Sequence, residues 1–456
     1  MNGQARLASK IYFGRVKLKQ TQKMKIAIIG SGISGLMAAR QLHERRHAIT
    51  VFEAQEYIGG HVRTLRVADG TAGTGSVPAE LGVFMHDPRY IHPTMNAFVR
   101  QAGVISQPFN LCFSYSSTRY KMAWSTKSEY SGALREWSLL LAVLWDGIRH
   151  GQGLRNWEFM FELRRFLRSL PELCSSQRYA GMRLEDFLRK ENYSDCFAET
   201  WLLPQILCWW GVTRAHALDT DIQVVADSMH DVVRTPQHFF TDGWDAFLKC
   251  VYSPFQDRIR TSQRVSQIKR CADHVQVMVD GRAENFDQVI IATPPDVCLQ
   301  LLAQATAAEA AILQKFETIS TTVYVHRDAS WMPAKRPWST INLMHDARGS
   351  FCTFWNGDLH PAKPAVFVTW GDGLTLAPDP AQTLTTAHWL RTLPTVNYTN
   401  ASREIEDIQG NGGVWYCGAH VHALAADSVP SLWHENAFRS GQRVAEKISA
   451  QQRIAA

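Results

Sequence analysis

The chain has 456 residues, which is too long for a single compact core, so we expect two domains. Hydrophobic residues make up 45% of it and charged residues 20%, as in an ordinary globular protein, and no run of 18 apolar residues predicts a membrane-spanning helix. The nine cysteines contain no C-x-x-C pair, which argues against a zinc ribbon or a redox dithiol motif.

The positive charge is concentrated at the amino-terminal end. Residues 1–25 contain seven basic residues and no acidic one, and subtracting these seven charges from the net +6 leaves about −1 for the rest. A neutral body argues against nucleic-acid binding. We expect residues 1–23 to be a disordered extension, or to precede a natural start at Met24, with contact to anionic lipid as the alternative. The odd cysteine count and the lack of a signal peptide favour a cytoplasmic location, with peripheral membrane contact left open.

The segment from Lys25 to Ala54 has the most specific pattern. A short apolar strand is followed by Gly30-x-Gly32-x-x-Gly35, a helix, and a second strand that ends in Glu53. In a dinucleotide-binding β-α-β unit the three glycines allow a tight turn, close approach of a pyrophosphate, and close packing of the helix. The helix N-terminus attracts the phosphates, and Glu53 accepts hydrogen bonds from the ribose hydroxyls. The pattern therefore predicts a bound dinucleotide.

The next residues indicate which dinucleotide. Glu53-Ala54 leads to Gly59-Gly60-His61-x-x-Thr64, which resembles the E-A-x-x-x-x-G-G-[RH]-x-x-T segment of amine-oxidase-like flavoproteins. This superfamily includes monoamine oxidases, protoporphyrinogen oxidase and phytoene desaturases. The resemblance implies FAD, because the classical NAD dehydrogenases lack the second glycine pair. In the family this segment passes under the FAD diphosphate, and monoamine oxidases have arginine where this chain has His61.

Later segments also resemble FAD contacts of this family. The turn at Glu80-Leu81-Gly82 resembles one near the flavin ring, and Arg264-Val265 resembles the segment whose backbone meets the adenine. Residues 414–419 are similar to a late strand that reaches the ribityl diphosphate, and residues 434–441 to the final helix start beside the flavin pyrimidine. The resemblance implies these cofactor-binding residues: Gly30, Gly32, Ser34, Gly35, Glu53, Ala54, Gly60, His61, Thr64, Gly82, Val265, Gly418, Ala419, Asn436 and Ala437.

A closer resemblance is to a bacterial subgroup of predicted NAD/FAD-binding proteins, often found beside cyclopropane-fatty-acid synthases. The likeness covers roughly residues 24–448 and includes Gly-Gly-His at 59–61, residues 324–328, and His434-Glu435. The subgroup has Glu-Asp-Gly after this histidine, where the present chain has Glu435-Asn436-Ala437. Asn436 and Ala437 can still present their backbone to the cofactor in the way that the resemblance implies. The resemblance does not identify the substrate.

The predicted fold class is α/β, with a Rossmann-like FAD-binding domain and an α+β substrate domain. The FAD-binding domain is discontinuous and the substrate or cap domain fills the gaps. We expect the first over 24–110, 241–300 and 405–456, and the second over 111–240 and 301–404.

Composition predicts the secondary structure of the cap domain. Residues 131–235 are predicted to be helical, because apolar positions there are mixed among arginines. Residues 380–391 are also predicted to be a helix. The β-branched and aromatic residues between them predict an antiparallel sheet. Its strands are expected over 321–326, 339–344, 350–355 and 365–370.

Two histidine patterns match metal-site spacings. His43 to His47 matches the H-E-x-x-H letters of zinc proteases, but it lies at the tail of the predicted dinucleotide-binding helix, where we expect a solvated helix end. His420-x-His422 is too short a pattern to predict a metal site, and a position near the flavin is the favoured functional interpretation. We therefore predict no metal.

Fifteen tryptophans are present, and three of them lie close together in the helical part of the cap. Trp201, Trp209 and Trp210 are either core residues of that domain or the aromatic wall of an apolar substrate tunnel. Trp209 and Trp210 are adjacent, and adjacent helical residues point about 100° apart. We therefore expect one of the two to be core and the other to be wall.

The resemblance implies an FAD-dependent oxidoreductase that moves hydride from a substrate C–H to flavin N5. The subgroup and the aromatic cap favour an apolar, lipid-like substrate, and oxygen or another acceptor would complete the cycle. Amine oxidation, a redox-neutral isomerase, and a non-catalytic flavin-binding partner of a lipid-modifying enzyme are the alternatives. The sequence identifies no catalytic base.

Overall fold

The computed structural model describes residues 23–68, 75–87, 92–120, 122–125, 153–234, 237–334, 338–361, 363–372, 374–422 and 432–455. The expected basic extension lies outside these ranges except for Lys23, and so does the part of the predicted helical region before residue 153. Within the described part of the chain, no helix is both long and apolar enough to cross a bilayer.

The strands are numbered in chain order. They are β1 (Lys25–Ile29), β2 (Ala48–Phe52), β3 (Thr64–Ala68), β4 (Ser76–Glu80), β5 (Ser106–Phe109), β6 (Phe113–Ser117), β7 (Met122–Ser125), β8 (Gln237–Phe240), β9 (Ile259–Arg260), β10 (Val265–Arg270), β11 (Val275–Val279), β12 (Arg282–Phe286), β13 (Gln288–Ile291), β14 (Thr318–His326), β15 (Ile341–Asp346), β16 (Gly349–Trp355), β17 (Phe367–Asp372), β18 (Thr383–Thr392) and β19 (Val414–Tyr416).

The α-helices are numbered in the same way. They are α1 (Ile33–Glu44), α2 (Pro93–Ala102), α3 (Gly153–Ser175), α4 (Leu184–Lys190), α5 (Asp195–Phe197), α6 (Leu203–Trp210), α7 (Arg214–Leu218), α8 (Ile222–Arg234), α9 (Trp244–Tyr252), α10 (Pro295–Leu301), α11 (Ala307–Leu313), α12 (Val396–Glu404) and α13 (His434–Ala455). A π-helical segment, Ala198–Leu202, joins α5 to α6.

A five-stranded sheet in the order β19-β13-β1-β2-β9 is parallel at every pairing. The central strand β1 is apolar from Ile26 to Ile29 and buried along that length, as expected for a strand covered on both faces. Ile26 and Ile28 pack with α1 and α13, whereas Ala27 and Ile29 pack with residues of the antiparallel sheet β10-β11-β12. The α/β prediction is confirmed for this half of the molecule.

A seven-stranded sheet in the order β18-β14-β17-β16-β15-β6-β7 forms the second layer. All its pairings are antiparallel except β15 with β6. The four strands predicted between residues 321 and 370 are confirmed as β14, β15, β16 and β17, with small shifts at their ends. Helices α3 to α8 lie between residues 153 and 234, where helices were expected, and share one large hydrophobic core with this sheet.

The predicted helix over residues 380–391 is wrong. This segment is β18, which pairs with β14 from Thr318 opposite Thr392 to His326 opposite Thr383. The residues Ala387, Trp389 and Arg391 share one face, and Ala387 and Trp389 are buried while His388 and Leu390 are exposed. Alternating burial is the strand period, and pairing with β14 overrides the helical preference of alanine and leucine.

Candidate functional site

The glycine turn joins the end of β1 to the start of α1. Gly30 has φ of +105°, and a Cβ there would lie 2.8 Å from the Ala292 carbonyl oxygen. A Cβ on Gly35 would overlap the Gly30 oxygen, so both positions require glycine. Gly32 differs, because a Cβ there would meet no described atom within 4 Å and no described side chain caps the helix. There is therefore open space on the Cβ side of Gly32 at the N-terminus of α1, which fits the diphosphate of a dinucleotide.

Glu53 follows β2 and is 8% exposed. Its Oε2 accepts hydrogen bonds from Ser31 N at 2.9 Å and Ser31 Oγ at 2.6 Å, and its Oε1 accepts one from Gln55 N at 2.8 Å. A carboxylate offers about four acceptor positions, so capacity is left for a further donor such as a ribose hydroxyl. Glu53 thus fixes the first turn and keeps an acceptor position of the kind that the dinucleotide pattern requires.

The second glycine pair lies directly against the first turn. Gly59 forms a bridge with Gly32, and its N–H donates to Ser31 Oγ at 3.2 Å. A Cβ on Gly60 would lie 3.3 Å from Gly32 Cα. His61 comes next, and its ring makes an edge contact with Trp389 at 5.1 Å between ring centroids. Two segments that are distant in the sequence therefore meet at the N-terminus of α1.

Thr64 is the first residue of β3, and Gly82 lies two residues after the end of β4, the antiparallel partner of β3. The Thr64 hydroxyl donates to Glu80 Oε2 at 2.8 Å, and the Trp244 N–H donates to Glu80 Oε1 at 3.0 Å. Gly82 packs on the backbone of His61, where a Cβ would overlap the carbonyl oxygen. Ala54 is exposed beside Glu53. The Thr64 hydroxyl is thus engaged by a protein acceptor, while Gly82 lies against the glycine segment.

The end of β19 is held against the start of α13. The Gly418 N–H donates to Ser440 Oγ at 3.0 Å. The Asn436 side-chain amide donates to the Ala419 oxygen at 2.7 Å and to the Val421 oxygen at 2.9 Å, and Ala437 is buried in the same contact. These hydrogen bonds bring the end of β19 and the start of α13 together.

Ser34 and Val265 lie at the edges of the same region. Ser34 is buried in the first turn of α1, where its hydroxyl hydrogen-bonds the Cys417 thiol, so its backbone N–H is the group directed along the helix axis. Val265 is buried at the start of β10, close to Gln263, whose N–H donates to the backbone carbonyl oxygen of Glu53 at 2.9 Å.

A small cleft opens beside Gly82 and the start of α13. It is walled mainly by apolar and aromatic side chains that come from five separate stretches of the chain. The lining residues are Glu80, Leu81, Gly82, Val83, Phe84, Met85, Cys208, Trp209, Trp370, Arg391, Trp433 and His434. Trp209 lines this cleft, whereas Trp210 is 7% exposed and lies in the core, so the two tryptophans separate as the sequence predicts.

The sequence predicts no role for Arg391, Trp370 or Trp433, which all line the cleft. Arg391 belongs to β18. Because this segment was predicted to be a helix, the sequence did not indicate that Arg391 faces the cleft. The signal that could have found it is the alternation of Ala387, Trp389 and Arg391 on one strand face. No local pattern marks Trp370 or Trp433, because only the packing of distant strands and loops brings them to the cleft.

Burial changes the charges in and around the cleft. It raises the pKa of the Glu80 carboxyl to about 8 and lowers the pKa of His434 to about 4. It also lowers the pKa of His61 to about 3, with the Arg391 charge acting in the same direction. The pKa of Arg391 is lowered to about 10 by burial, so its guanidinium is still charged at neutral pH. The carboxyl and the histidines are mainly neutral there.

The two histidine patterns do not form metal sites in the described residues, among which no group of three histidine, cysteine or acidic side chains could hold a metal ion. Helix α1 ends at Glu44, so His47 lies beyond it and is buried, where its Nδ1 accepts from Met24 N at 3.3 Å. His420 is buried next to the Phe316 ring, at 5.5 Å between ring centroids.

The fold and the glycine turn define an α/β protein built to hold a dinucleotide at the edge of a parallel sheet. The sequence model of the flavin containing amine oxidoreductases matches residues 33–396. The chain belongs to this family, and its cofactor is FAD. The open space at Gly32, bounded by the second glycine pair, fits that cofactor.

Curated relatives are similar over limited lengths. A flavin-dependent L-tryptophan oxidase of Lentzea aerocolonigenes is 39% identical over 69 residues, which is 15% of this chain and 14% of that protein. An L-amino-acid oxidase of Siganus canaliculatus is 22% identical over 306 residues, which is 64% of this chain and 51% of that protein. The chain thus spans from about one seventh to about half the length of these two relatives.

Solved structures share the fold over almost the whole chain. Cyclohexylamine oxidase from Brevibacterium oxydans has a TM-score of 0.64 at 13% identity, covering 95% of this chain and 100% of that one. A fatty acid isomerase from P. acnes that produces CLA has a TM-score of 0.60 at 13% identity, with coverage of 94% and 98%. A putative protoporphyrinogen oxidase from Exiguobacterium has a TM-score of 0.61 at 16% identity, with coverage of 94% and 100%. At identities this low, these structural matches show that the fold is shared and nothing further.

Proposed function

We propose that the chain is an FAD-dependent oxidoreductase that removes hydride from a C–H group of an apolar, lipid-like substrate, as a desaturase or an oxidase. The observation that supports this most is the cleft beside Gly82 and His434, whose lining includes Trp209, Trp370 and Trp433. Clefts that bind apolar molecules are built in this way, from aromatic walls with a few polar groups.

We also propose that FAD lies along the strip that begins at Glu53 and the glycine turn and ends at Gly82 and the start of α13. The supporting contacts are Gly59 on Gly32, Gly82 on His61, and Asn436 on Ala419. The residues proposed to hold it are Gly30, Gly32, Ser34, Gly35, Glu53, Ala54, Gly60, His61, Thr64, Gly82, Val265, Gly418, Ala419, Asn436 and Ala437. When bound, FAD supplies the hydride acceptor.

The side chains of the cleft orient the substrate and exclude water from the reacting C–H group. Leu81, Val83 and Met85 are apolar residues of the lining, and the Phe84 ring is held by stacking on Phe354 at 4.3 Å between ring centroids. Removal of hydride from a C–H group depends more on a cleft that excludes water and orients the substrate than on a strong base that takes up a proton. Oxygen or another electron acceptor would complete the turnover.

Amine oxidation is the second candidate, because several proteins of the same fold are named as amine oxidases, among them cyclohexylamine oxidase. A redox-neutral reaction on a fatty acid is a variant of the first candidate, since a fatty acid isomerase shares the fold. A non-catalytic flavin-binding partner of a lipid-modifying enzyme is the third. The aromatic lining is common to the first two candidates and does not separate them.

Anaerobic flavin bleaching tests the proposal. The purified holoprotein is mixed without oxygen with a panel of lipids, fatty acids, prenyl compounds and primary amines, and the flavin absorbance is followed. Bleaching by an apolar lipid-like compound is expected. Bleaching by amines alone would favour the amine oxidase alternative. A protein that contains FAD but is bleached by no compound, while dithionite still reduces it, would support the non-catalytic alternative.

A further inference from the structure

Arg391 is a cation that lines the cleft from the seven-stranded sheet. It lies on β18 opposite Ile319 of β14, and its Nε is buried with no hydrogen-bond partner among the described residues. The guanidinium lies beside Gly211, the left-handed C-cap of α6 with φ of +61°, where a Cβ would be 2.7 Å from Arg391 Nε. The glycine at the end of α6 therefore leaves the space that the guanidinium fills.

No acidic side chain of the described residues forms an ion pair with Arg391. Glu80 is the acidic residue among those that line the cleft, and it is held by Thr64 and the Trp244 N–H rather than by Arg391. Burial keeps that carboxyl largely protonated at neutral pH and keeps His434 neutral. Arg391 is thus the charged group that the described cleft lining presents to its contents.

A partly buried guanidinium without an ion partner is unfavourable, because it has lost part of its hydration without gaining a counter-charge. Its planar fork matches a carboxylate, which accepts two parallel N–H bonds from it. The neighbouring tryptophans Trp209 and Trp370 offer apolar surface to the rest of such a molecule. The lining therefore combines one anion-binding group with aromatic walls.

We propose that Arg391 binds the carboxylate of the substrate, and that the substrate is an apolar monocarboxylate whose hydrocarbon part lies against Trp209, Trp370 and Trp433. This inference rests on the proposed function and narrows its substrate class. It assigns Arg391 as a residue that determines specificity. A protonated amine would be repelled by the same charge, so the proposal also opposes the amine oxidase alternative.

The test is equilibrium binding to the FAD-loaded full chain, measured by calorimetry and by quenching of tryptophan fluorescence. Decanoate, decanol and decylamine are the probes, because they share one hydrocarbon chain and differ in the head group. The variants are Arg391→Met, which removes the charge, and Arg391→Lys, which keeps it but loses the fork. Arg282→Met is the matched control, since Arg282 is exposed on β12, away from the cleft lining. FAD content and melting temperature are recorded for every variant.

Decanoate is expected to bind the wild type better than decanol or decylamine. Arg391→Met should weaken decanoate binding roughly 10- to 150-fold, which is the range for a lost charge-assisted hydrogen bond, and leave decanol unchanged. Arg391→Lys should lose less, and Arg282→Met should lose nothing. If Arg391→Met does not fold, the comparison of Arg391→Lys with wild type, in which only decanoate weakens, decides the question.

Several outcomes would overturn the proposal: equal decanoate affinity with and without the arginine, no decanoate binding by the wild type, or tighter binding of decylamine. Loss of FAD from folded Arg391→Met would also overturn it, because the arginine would then serve the cofactor. Failure of the proposed function looks different. In that case no compound bleaches the flavin, although decanoate binding still depends on Arg391.

Discussion

Glu53 and Ser31 are joined by two hydrogen bonds, because Glu53 Oε2 accepts from both the backbone N–H and the hydroxyl of Ser31. Ser31 Oγ in turn accepts from the Gly59 N–H. The acid at the end of β2 therefore fixes the first glycine turn, which in turn holds the second glycine pair. One carboxylate thus organises the region proposed to hold the FAD ribose and diphosphate.

Replacing Glu53 by alanine should weaken FAD binding roughly 10- to 150-fold, since a charge-assisted hydrogen bond contributes about 1.5–3 kcal/mol. The measurement is the FAD dissociation constant of the refilled apoprotein. Glu56→Ala is the matched control, because Glu56 is an exposed acid three residues later, and it should bind FAD as the wild type does. Unchanged affinity in Glu53→Ala would place the ribose elsewhere.

Substitutions at two glycines of the first turn should distinguish effects on folding from effects on cofactor binding. Gly32→Ala should leave the melting temperature of the apoprotein unchanged, because the added methyl meets no described atom within 4 Å. It should nevertheless lower FAD affinity, with a loss of roughly 1–3 kcal/mol as in overpacked sites. Gly35→Ala should destabilise the apoprotein itself, because its methyl would overlap the Gly30 oxygen.

Apoprotein melting and FAD titration together check this pair. An apoprotein that is equally stable in both variants would contradict the packing argument. Normal FAD binding by Gly32→Ala would mean that the diphosphate lies away from the N-terminus of α1.

Trp209→Ala and Trp210→Ala should behave differently. Trp210 lies in the core of the cap, so its removal should cost about 3–5 kcal/mol of unfolding free energy. Trp209 lines the cleft, and Trp209→Ala should reduce the melting temperature less while slowing flavin reduction by the true substrate. Thermal melts and stopped-flow bleaching of the holoprotein measure the two effects. Equal destabilisation by both variants would contradict a cleft wall at Trp209.

The Glu80 carboxyl should make stability depend on pH. Burial raises its pKa to about 8 in the folded state, well above the ordinary carboxyl range. The folded chain then holds a proton that the unfolded chain releases, so the contribution of Glu80 to stability falls as pH rises from about 5 to 8, by up to about 1.4 kcal/mol per pH unit. The buried histidines with lowered pKa, such as His61 and His434, contribute in the opposite direction below about pH 6.5.

Glu80→Gln should remove this fall, because the amide does not titrate and its oxygen still accepts from the Trp244 N–H. Denaturant unfolding at several pH values checks the slope. Glu56→Gln serves as the control, since Glu56 is an exposed acid that is not among the charges that shift the pKa of Glu80, and it should leave the slope unchanged. A pH dependence that is the same in Glu80→Gln as in the wild type would show that the carboxyl is ionised in the folded chain.

Local sequence was enough to predict the β1-turn-α1-β2 unit and the acid that ends it. In this unit each role depends on near neighbours: apolar residues for a buried strand, glycines where the backbone approaches itself, and free N–H groups at the helix start. The cap strands from β14 to β17 were also predictable, because their β-branched and aromatic residues and intervening turns are local features.

The sequence did not predict β18, because its alanine and leucine residues suit a helix and its strand form depends on pairing with β14, some 60 residues earlier. The separation of Trp209 from Trp210 followed from helical geometry, but which of them faces the cleft depended on the elements that cover them. Arg391 reached the cleft through β18, while Trp433 reached it through the turn before α13.

The sequence by itself thus determined the dinucleotide-binding unit and the flavin family, because short-range patterns encode backbone geometry. Only the tertiary structure decided what surrounds the cleft, including the cation at Arg391 and the neutral carboxyl at Glu80. Those properties arise when side chains from distant segments are buried together, since burial and neighbours, rather than residue type alone, set charge and contact.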